Sequence, residues 1–147
     1  MQKPSRRKWP KSYVTHLKIN ELFGQKALFS INRIYVGIMN WNKLTSNTQL
    51  DIIKEESAKQ PVLIFKHSTT CSISAMALSR MERNWNDQLG VKPYYLDLLA
   101  NRPISKEIES VFGVEHESPQ VLLIRNGECI YDASHMSISF AGLQQVV

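Results

Sequence analysis

Cysteine is scarce in this chain of 147 residues, which holds only Cys71 and Cys129. Small secreted domains held by cross-links are cysteine-dense, so a disulfide framework is excluded and a reducing compartment, the cytoplasm, is expected. Long apolar runs are also missing. The most apolar part of the first segment, residues 27–39, is interrupted by Asn32 and Arg33, which is too short and too polar for a membrane span. The Arg6-Arg7-Lys8 cluster has the charge of a secretory n-region. No clean apolar run or small-residue cleavage site follows it, so neither a leader nor a membrane partner is expected. Acidic residues are nearly absent from residues 1–38, where Glu21 stands alone against eight basic side chains. Internal repeats and low-complexity tracts are absent throughout.

That first absence reinterprets the net charge of +5. Residues 39–147 hold ten basic against twelve acidic residues, so the excess charge belongs to residues 1–38 alone. The expected organisation is a basic N-terminal extension over 1–38 and one domain over 39–147, with Met39 a candidate translation start. No nucleic-acid partner is expected for the main domain. The hydrophobic share of 43% is enough for a packed core.

From residue 40 the pattern is regular. Asn40 to Leu44 reads as a short strand, and Thr45-Ser46-Asn47 offers helix caps before Leu50, Ile52, Ile53 and Ser57. The continuous apolar run Pro61 to Phe65 suits a strand buried on both faces. Cys71 to about Leu89 carries Ile73, Ala77, Met81 and Trp85 every four positions and stops at Gly90. This spacing predicts an amphipathic helix of about five turns. Pro93 to Leu98 is a second strand, and Pro103 opens a helix that Gly113 stops. Val121 to Arg125, Asn126-Gly127 and Cys129 to Ala133 read as a hairpin, and Ser137 to Val147 as a closing helix. A strand–helix–strand unit joined by a helix to a hairpin and final helix describes a thioredoxin-like α/β fold. It would have a central mixed sheet of four to five strands flanked by helices.

Cys71 lies in Lys66-His67-Ser68-Thr69-Thr70-Cys71-Ser72-Ile73-Ser74, where a buried strand gives way to a helix. Most free cysteines are small buried residues. Two features favour a reactive thiol instead. The residue sits among polar neighbours at a strand-to-helix turn, and open α/β sheets place their sites at the carboxyl ends of strands. Thiolate is the nucleophilic form, and amides and dipole at a helix N-terminus favour an anion. Thr70, Ser72 and Ser74 add small polar groups able to hydrogen-bond a thiolate or a polar thiol substrate. Pro119, entering the third strand, cannot donate to a ladder. From the residues alone an ordinary trans strand-initiating proline is the commoner state, and a cis bond is the rarer one.

Further along the chain, Tyr95-Leu96-Asp97-Leu98, Asn101-Arg102-Pro103-Ile104-Ser105 and His116-Glu117-Ser118-Pro119-Gln120-Val121-Leu122 follow in order. Asn126-Gly127 and Ala133-Ser134-His135 close the series. With Phe65 to Ser74, these blocks resemble the monothiol bacilliredoxin family of bacillithiol-system thioredoxin-like proteins, over about residues 39–147. Ser72 departs from the commoner family form, which has proline after the cysteine. Serine relaxes the backbone there and adds a hydroxyl.

The resemblance implies a thiol–disulfide oxidoreductase that removes bacillithiol from protein mixed disulfides, or exchanges it with them, through a Cys71–bacillithiol intermediate. Bacillithiol would be co-substrate, S-bacillithiolated proteins the clients, and no cofactor would be bound. Cys71 would be catalytic. Ser118 and Pro119 resemble the loop that faces the cysteine in this fold and, with Thr70, Ser72 and Ser74, would bind substrate. A dithiol enzyme of Cys-x-x-Cys type is excluded by Ser74. If Pro119 lies near Cys71, the strand to Asn126 carries the chain about 20 Å away at about 3.3 Å per residue. Cys129 is then beyond the roughly 7 Å Cα reach of a disulfide, and a structural role is expected for it. The spacings of His67, His116, His135 and Cys71 match no zinc pattern, so no metal is expected. An iron–sulfur carrier would need a Cys-Gly-Phe-Ser pattern, which this chain lacks. The remaining alternative is a thioredoxin-like redox-sensing or binding module without turnover.

Overall fold

The computed structural model describes residues 39–147, and the basic extension over 1–38 lies outside the described residues. The elements are β1 (Asn42–Lys43), α1 (Thr48–Ser57), β2 (Val62–His67), α2 (Ser72–Asn84), β3 (Lys92–Asp97), α3 (Arg102–Phe112), β4 (Gln120–Arg125), β5 (Glu128–Ser134) and α4 (Phe140–Gln144). Short 3-10 turns occupy Asp87–Leu89 and His135–Ser137. The strands form one five-stranded mixed sheet in the order β1-β3-β2-β4-β5. The first three run parallel, with β2 against β3 and β1 against β3. β4 pairs antiparallel with β2 and with β5. This is the expected architecture of a βαβ unit followed by a hairpin and helix. Among the described residues, no helix is long and apolar enough to cross a membrane.

β2 is the spine of the sheet, and every one of its residues is buried. Its alternation divides the core. Leu63 and Phe65 pack with Val121 and Leu123 beneath Ala77 and Met81 of α2, Trp85 just after it, and Leu143 of α4. Val62 and Ile64 face the other way with Leu122 and Ile124, under Leu50 and Ile53 of α1 and Ile104 and Ile108 of α3. A side chain so buried stabilises the fold by roughly 1.5–3 kcal/mol, which is why the central strands carry apolar residues on both faces.

Several element boundaries differ from those the sequence predicts. β2 runs past Phe65 to include Lys66 and His67, because both polar side chains find partners inside the fold. Helix α2 ends at Asn84 instead of continuing to Leu89. Trp85 turns into an extended conformation, its indole N–H donates to Asp87 Oδ1 at 2.8 Å, and the Asn86 side chain caps the following 3-10 turn. Gly90 then ends the segment in the left-handed region at φ 68°, a conformation that disfavours residues with a Cβ. Ile73 also departs from the expected stripe. The buried face of α2 is Ser74, Ala77 and Met81, continued by Trp85, while Ile73 and Met76 are exposed beside the cysteine turn. The closing helix is confined to Phe140–Gln144, with Ser139 capping its first turn by accepting from the Gly142 amide.

Candidate active site

The turn from His67 to Ser74 is held by its own polar side chains. The Ser68 amide donates to Ser74 Oγ at 3.0 Å, and the Cys71 amide donates back to the Ser68 carbonyl at 3.1 Å. Ser74 Oγ also lies 2.7 Å from His67 Nδ1. Since the hydroxyl already accepts from Ser68, donating its proton to a neutral His67 completes its bonding. Burial holds the His67 ring below the ordinary histidine range, and the nearby Asp97 and Glu82 carboxylates oppose that shift. His67 packs 5.5 Å from the Tyr95 ring, and Trp41 sits edge-on to both Phe65 and Tyr95 while its indole N–H donates to Glu82.

Cys71 occupies the N-cap position of α2 with extended backbone angles, φ −102° and ψ 119°. Its carbonyl accepts the first bond of the helix from the Ala75 amide at 3.0 Å. A Ser, Thr or Asp at this position would use its side chain to satisfy the amides one turn into the helix. The Cys71 side chain makes no such bond. Amides of the first turn therefore remain available to a charged or polarised sulfur. The residue is a free cysteine of intermediate exposure.

Ser118-Pro119 is a cis peptide bond. Lys66 pairs with Gln120 across β2 and β4, so Pro119 lies beside the carboxyl end of β2, the end from which the Cys71 turn departs. The sheet thus brings the cysteine turn and the cis-proline loop to one edge. Pro119 is buried, Ser118 is half-buried, and the Ser118 hydroxyl oxygen is buried without a hydrogen-bond partner among the described residues. The Pro119 carbonyl is taken by the His135 amide at 3.0 Å. Thr70 and Ser72 flank the cysteine on the surface. Ser74 is turned inward with no exposed area, and the structure brings it to His67 and Ser68, away from the surface that Thr70 and Ser72 share.

A second polar group lies under the same edge, and the sequence reading did not single it out. The Lys66 ammonium is fully buried, 2.6 Å from His116 Nδ1 and 3.0 Å from Gln120 Oε1. Burial pushes Lys66 down to about 8, against the pull of the Glu109 carboxylate. Burial also lowers His116, and the Lys66 charge adds to that shift. The available signal was a lysine ending an apolar strand and a glutamine directly after Pro119. A strand end accommodates exposed charge equally well, so the pattern alone did not disclose the pairing.

Cys129 stands at the far end of the sheet. It pairs with Ile124 beside an irregularity in the β4–β5 ladder, and Ile124 in turn pairs with Val62, the first residue of β2. The length of β2 therefore separates it from the Cys71 turn, about 16 Å at strand rise. Its thiol donates to the Tyr131 carbonyl at 3.3 Å, and burial pushes its pKa up. Among the described residues no group of three or more His, Cys, Asp or Glu side chains converges as metal ligands.

Comparison with known proteins bears on the family and the fold. A family model described as monothiol bacilliredoxin BrxC matches residues 42–143. A solved structure of a thioredoxin-fold protein, provisionally assigned as an oxidoreductase, is 34% identical with a TM-score of 0.63, covering 71% of this chain and 90% of its own. Thioredoxin from Malassezia sympodialis is 19% identical with a TM-score of 0.57, over 75% of this chain and 90% of that one. Thioredoxin from Fasciola hepatica, 12% identical, also reaches 0.57 over 71% and 93%. The last two likenesses speak for the fold alone. With a family match over most of the domain and a thioredoxin fold beneath it, the chain belongs to the monothiol bacilliredoxin family of thiol redox proteins.

Proposed function

We propose that the protein is a monothiol thiol–disulfide oxidoreductase that exchanges bacillithiol with protein mixed disulfides through Cys71. The observation that carries this reading is the cysteine at an otherwise uncapped helix N-terminus, with a serine three residues on where a dithiol enzyme would hold its second thiol. In the first step Cys71 thiolate attacks the bacillithiol sulfur of a client–S–S–bacillithiol disulfide. The client sulfur leaves with the electron pair of the broken bond, takes a proton from water, and Cys71–S–S–bacillithiol forms. In the second step the thiolate of another bacillithiol attacks that disulfide, releasing Cys71 thiolate and oxidised bacillithiol. The net change is a disulfide exchange: the client leaves as a free thiol, and its bacillithiol unit leaves joined to the one bacillithiol consumed, so no bound cofactor is needed.

The chain's own residues supply position. Cys71 holds the N-cap of α2 with its side chain outside the cap hydrogen bonding, so the first-turn amides are left for the sulfur that attacks in one step and leaves in the other. Thr70 and Ser72 offer hydroxyls beside the sulfur, and Ser118-Pro119 offers backbone to an extended client. Ser74 acts through the turn, fixing the Ser68 amide whose carbonyl receives Cys71.

The test is steady-state release of bacillithiol from a protein carrying one bacillithiol mixed disulfide, with bacillithiol as reductant. Many equivalents per chain are expected. Release that stops at one equivalent would assign the chain to redox sensing instead of turnover.

A further inference from the structure

We propose that Lys66 and Gln120 are positioning residues that hold the Ser118-Pro119 loop against the Cys71 turn, and so determine how well an extended protein client is received relative to a small disulfide. The inference rests on the reading of Cys71 as the exchanging thiol.

The segment 113–119 joins α3 to β4 without helix or strand of its own. Two of its backbone groups converge on a single carboxamide. Gln120 Oε1 accepts from the Glu117 amide at 3.2 Å, and Gln120 Nε2 donates to the Glu115 carbonyl at 3.0 Å. Lys66 Nζ holds the same oxygen at 3.0 Å and reaches His116 Nδ1, which also meets Ser105 Oγ on α3. Three of the residues immediately before Ser118 are therefore tied, through two buried side chains, to the strand that delivers Cys71.

The position of these groups argues against a role in stability alone. Lys66 and Gln120 face each other in the β2–β4 ladder, on the face that elsewhere carries Ile64 and Leu122. An apolar pair would fill that site without desolvating a charge, and replacing buried charges by apolar side chains is often neutral or stabilising. What an apolar pair could not do is hold the loop. A small disulfide needs only the sulfur, whereas an extended client also pairs with the loop backbone, so loosening the loop separates the two substrates.

The experiment compares wild type with Lys66→Met, Gln120→Met and the double variant. Each is mixed with a saturable range of a protein mixed disulfide with bacillithiol, and separately with oxidised bacillithiol, and transfer to Cys71 is followed by intact mass. For the protein client, half-saturation is expected to rise about tenfold with the maximal rate within about twofold, while the small-disulfide rate stays within about twofold. The double variant is expected to lose no more than either single one, since the pair acts as a unit. Unchanged half-saturation, or an equal loss on both substrates, overturns the proposal. Should Lys66→Met fail to fold, Gln120→Glu decides: it keeps an acceptor for Lys66 and the Glu117 amide, replaces the donor to the Glu115 carbonyl by a carboxylate oxygen whose charge the Lys66 ammonium can offset, and should raise half-saturation for the protein client alone. Failure of the underlying reading is a different result, in which wild type forms no Cys71 adduct with either substrate.

Discussion

The two ends of the sheet each carry one cysteine, and they are finished in opposite ways. At the Cys129 end, polar groups are consumed internally. The Asn126 amide donates to the Ser57 carbonyl, the Gly127 amide to Ser57 Oγ, and Ser57 Oγ to the Lys54 carbonyl. Even the Cys129 thiol donates to a carbonyl. At the Cys71 end the cap position is filled by a side chain that caps nothing, and Thr70 and Ser72 stay on the surface. One end closes a fold and the other leaves donors for a reacting group. The same residue type meets different surroundings: Cys71 stands at a helix N-cap with its side chain uncommitted, and Cys129 donates to a carbonyl while burial pushes its pKa up.

The largest expected effect separates the two thiols outright. Cys71→Ser should lose the whole bacillithiol adduct by intact mass after treatment with oxidised bacillithiol, while Cys129→Ser should keep it. With its pKa pushed up by burial, Cys129 in the Cys71→Ser chain should also resist iodoacetamide at pH 7. An adduct on Cys129 in the folded protein would end the contrast.

A pH-dependent effect follows from Lys66, which sits with the Cys71 end. Its folded value of about 8 lies below its ordinary 10.5, so the unfolded chain holds the proton more tightly between those values. Stability from this group is present above the unfolded value and lost as pH falls through the folded one. Compared with Lys66→Met, wild type should gain up to about 3 kcal/mol of relative stability as pH rises from about 8 to 10.5, measured by urea unfolding. A stability gap that does not change over this interval would show that Lys66 keeps its ordinary affinity for protons.

The smallest effect sharpens the comparison from the closed end. Gly127 turns the hairpin at φ 79°, and an added Cβ would meet only Lys54 at 4.0 Å. The cost of Gly127→Ala is therefore conformational, about 1–2 kcal/mol in urea unfolding. The rate of Cys71 adduct formation should be unaffected, since the substitution sits a sheet length away. A matching fall in that rate would show the two ends to be coupled.

Much of this was legible in the chain. Asn126-Gly127 announced its turn because both residues tolerate positive φ, and the structure places them at 52° and 79°. Pro61 to Phe65 announced a doubly buried strand because burial on both faces removes the polar alternation. The Ile73 spacing misled for a physical reason. Periodicity reports which residues share a helical stripe, and the buried stripe here is completed by Ser74, whose hydroxyl is satisfied by Ser68 and His67. Likewise Trp85 fits the stripe while ending the helix, since its side chain stays in the core as its backbone turns outward.

The sequence by itself determined the elements, their order, the lone cysteine at a strand-to-helix turn and the family likeness. Each of these rests on local propensity or on residues near one another in the chain. Only the tertiary structure decided that Pro119 is cis and beside the end of β2, that Ser74 faces inward, and that Lys66, His116 and Gln120 meet beneath the loop. The place of Pro119 and the meeting beneath the loop depend on strand register between segments some fifty residues apart, while Ser74 is set within the turn by partners six and seven residues away. A register shift of one residue would turn Lys66 and Gln120 to opposite faces, and no local pattern records which register is chosen.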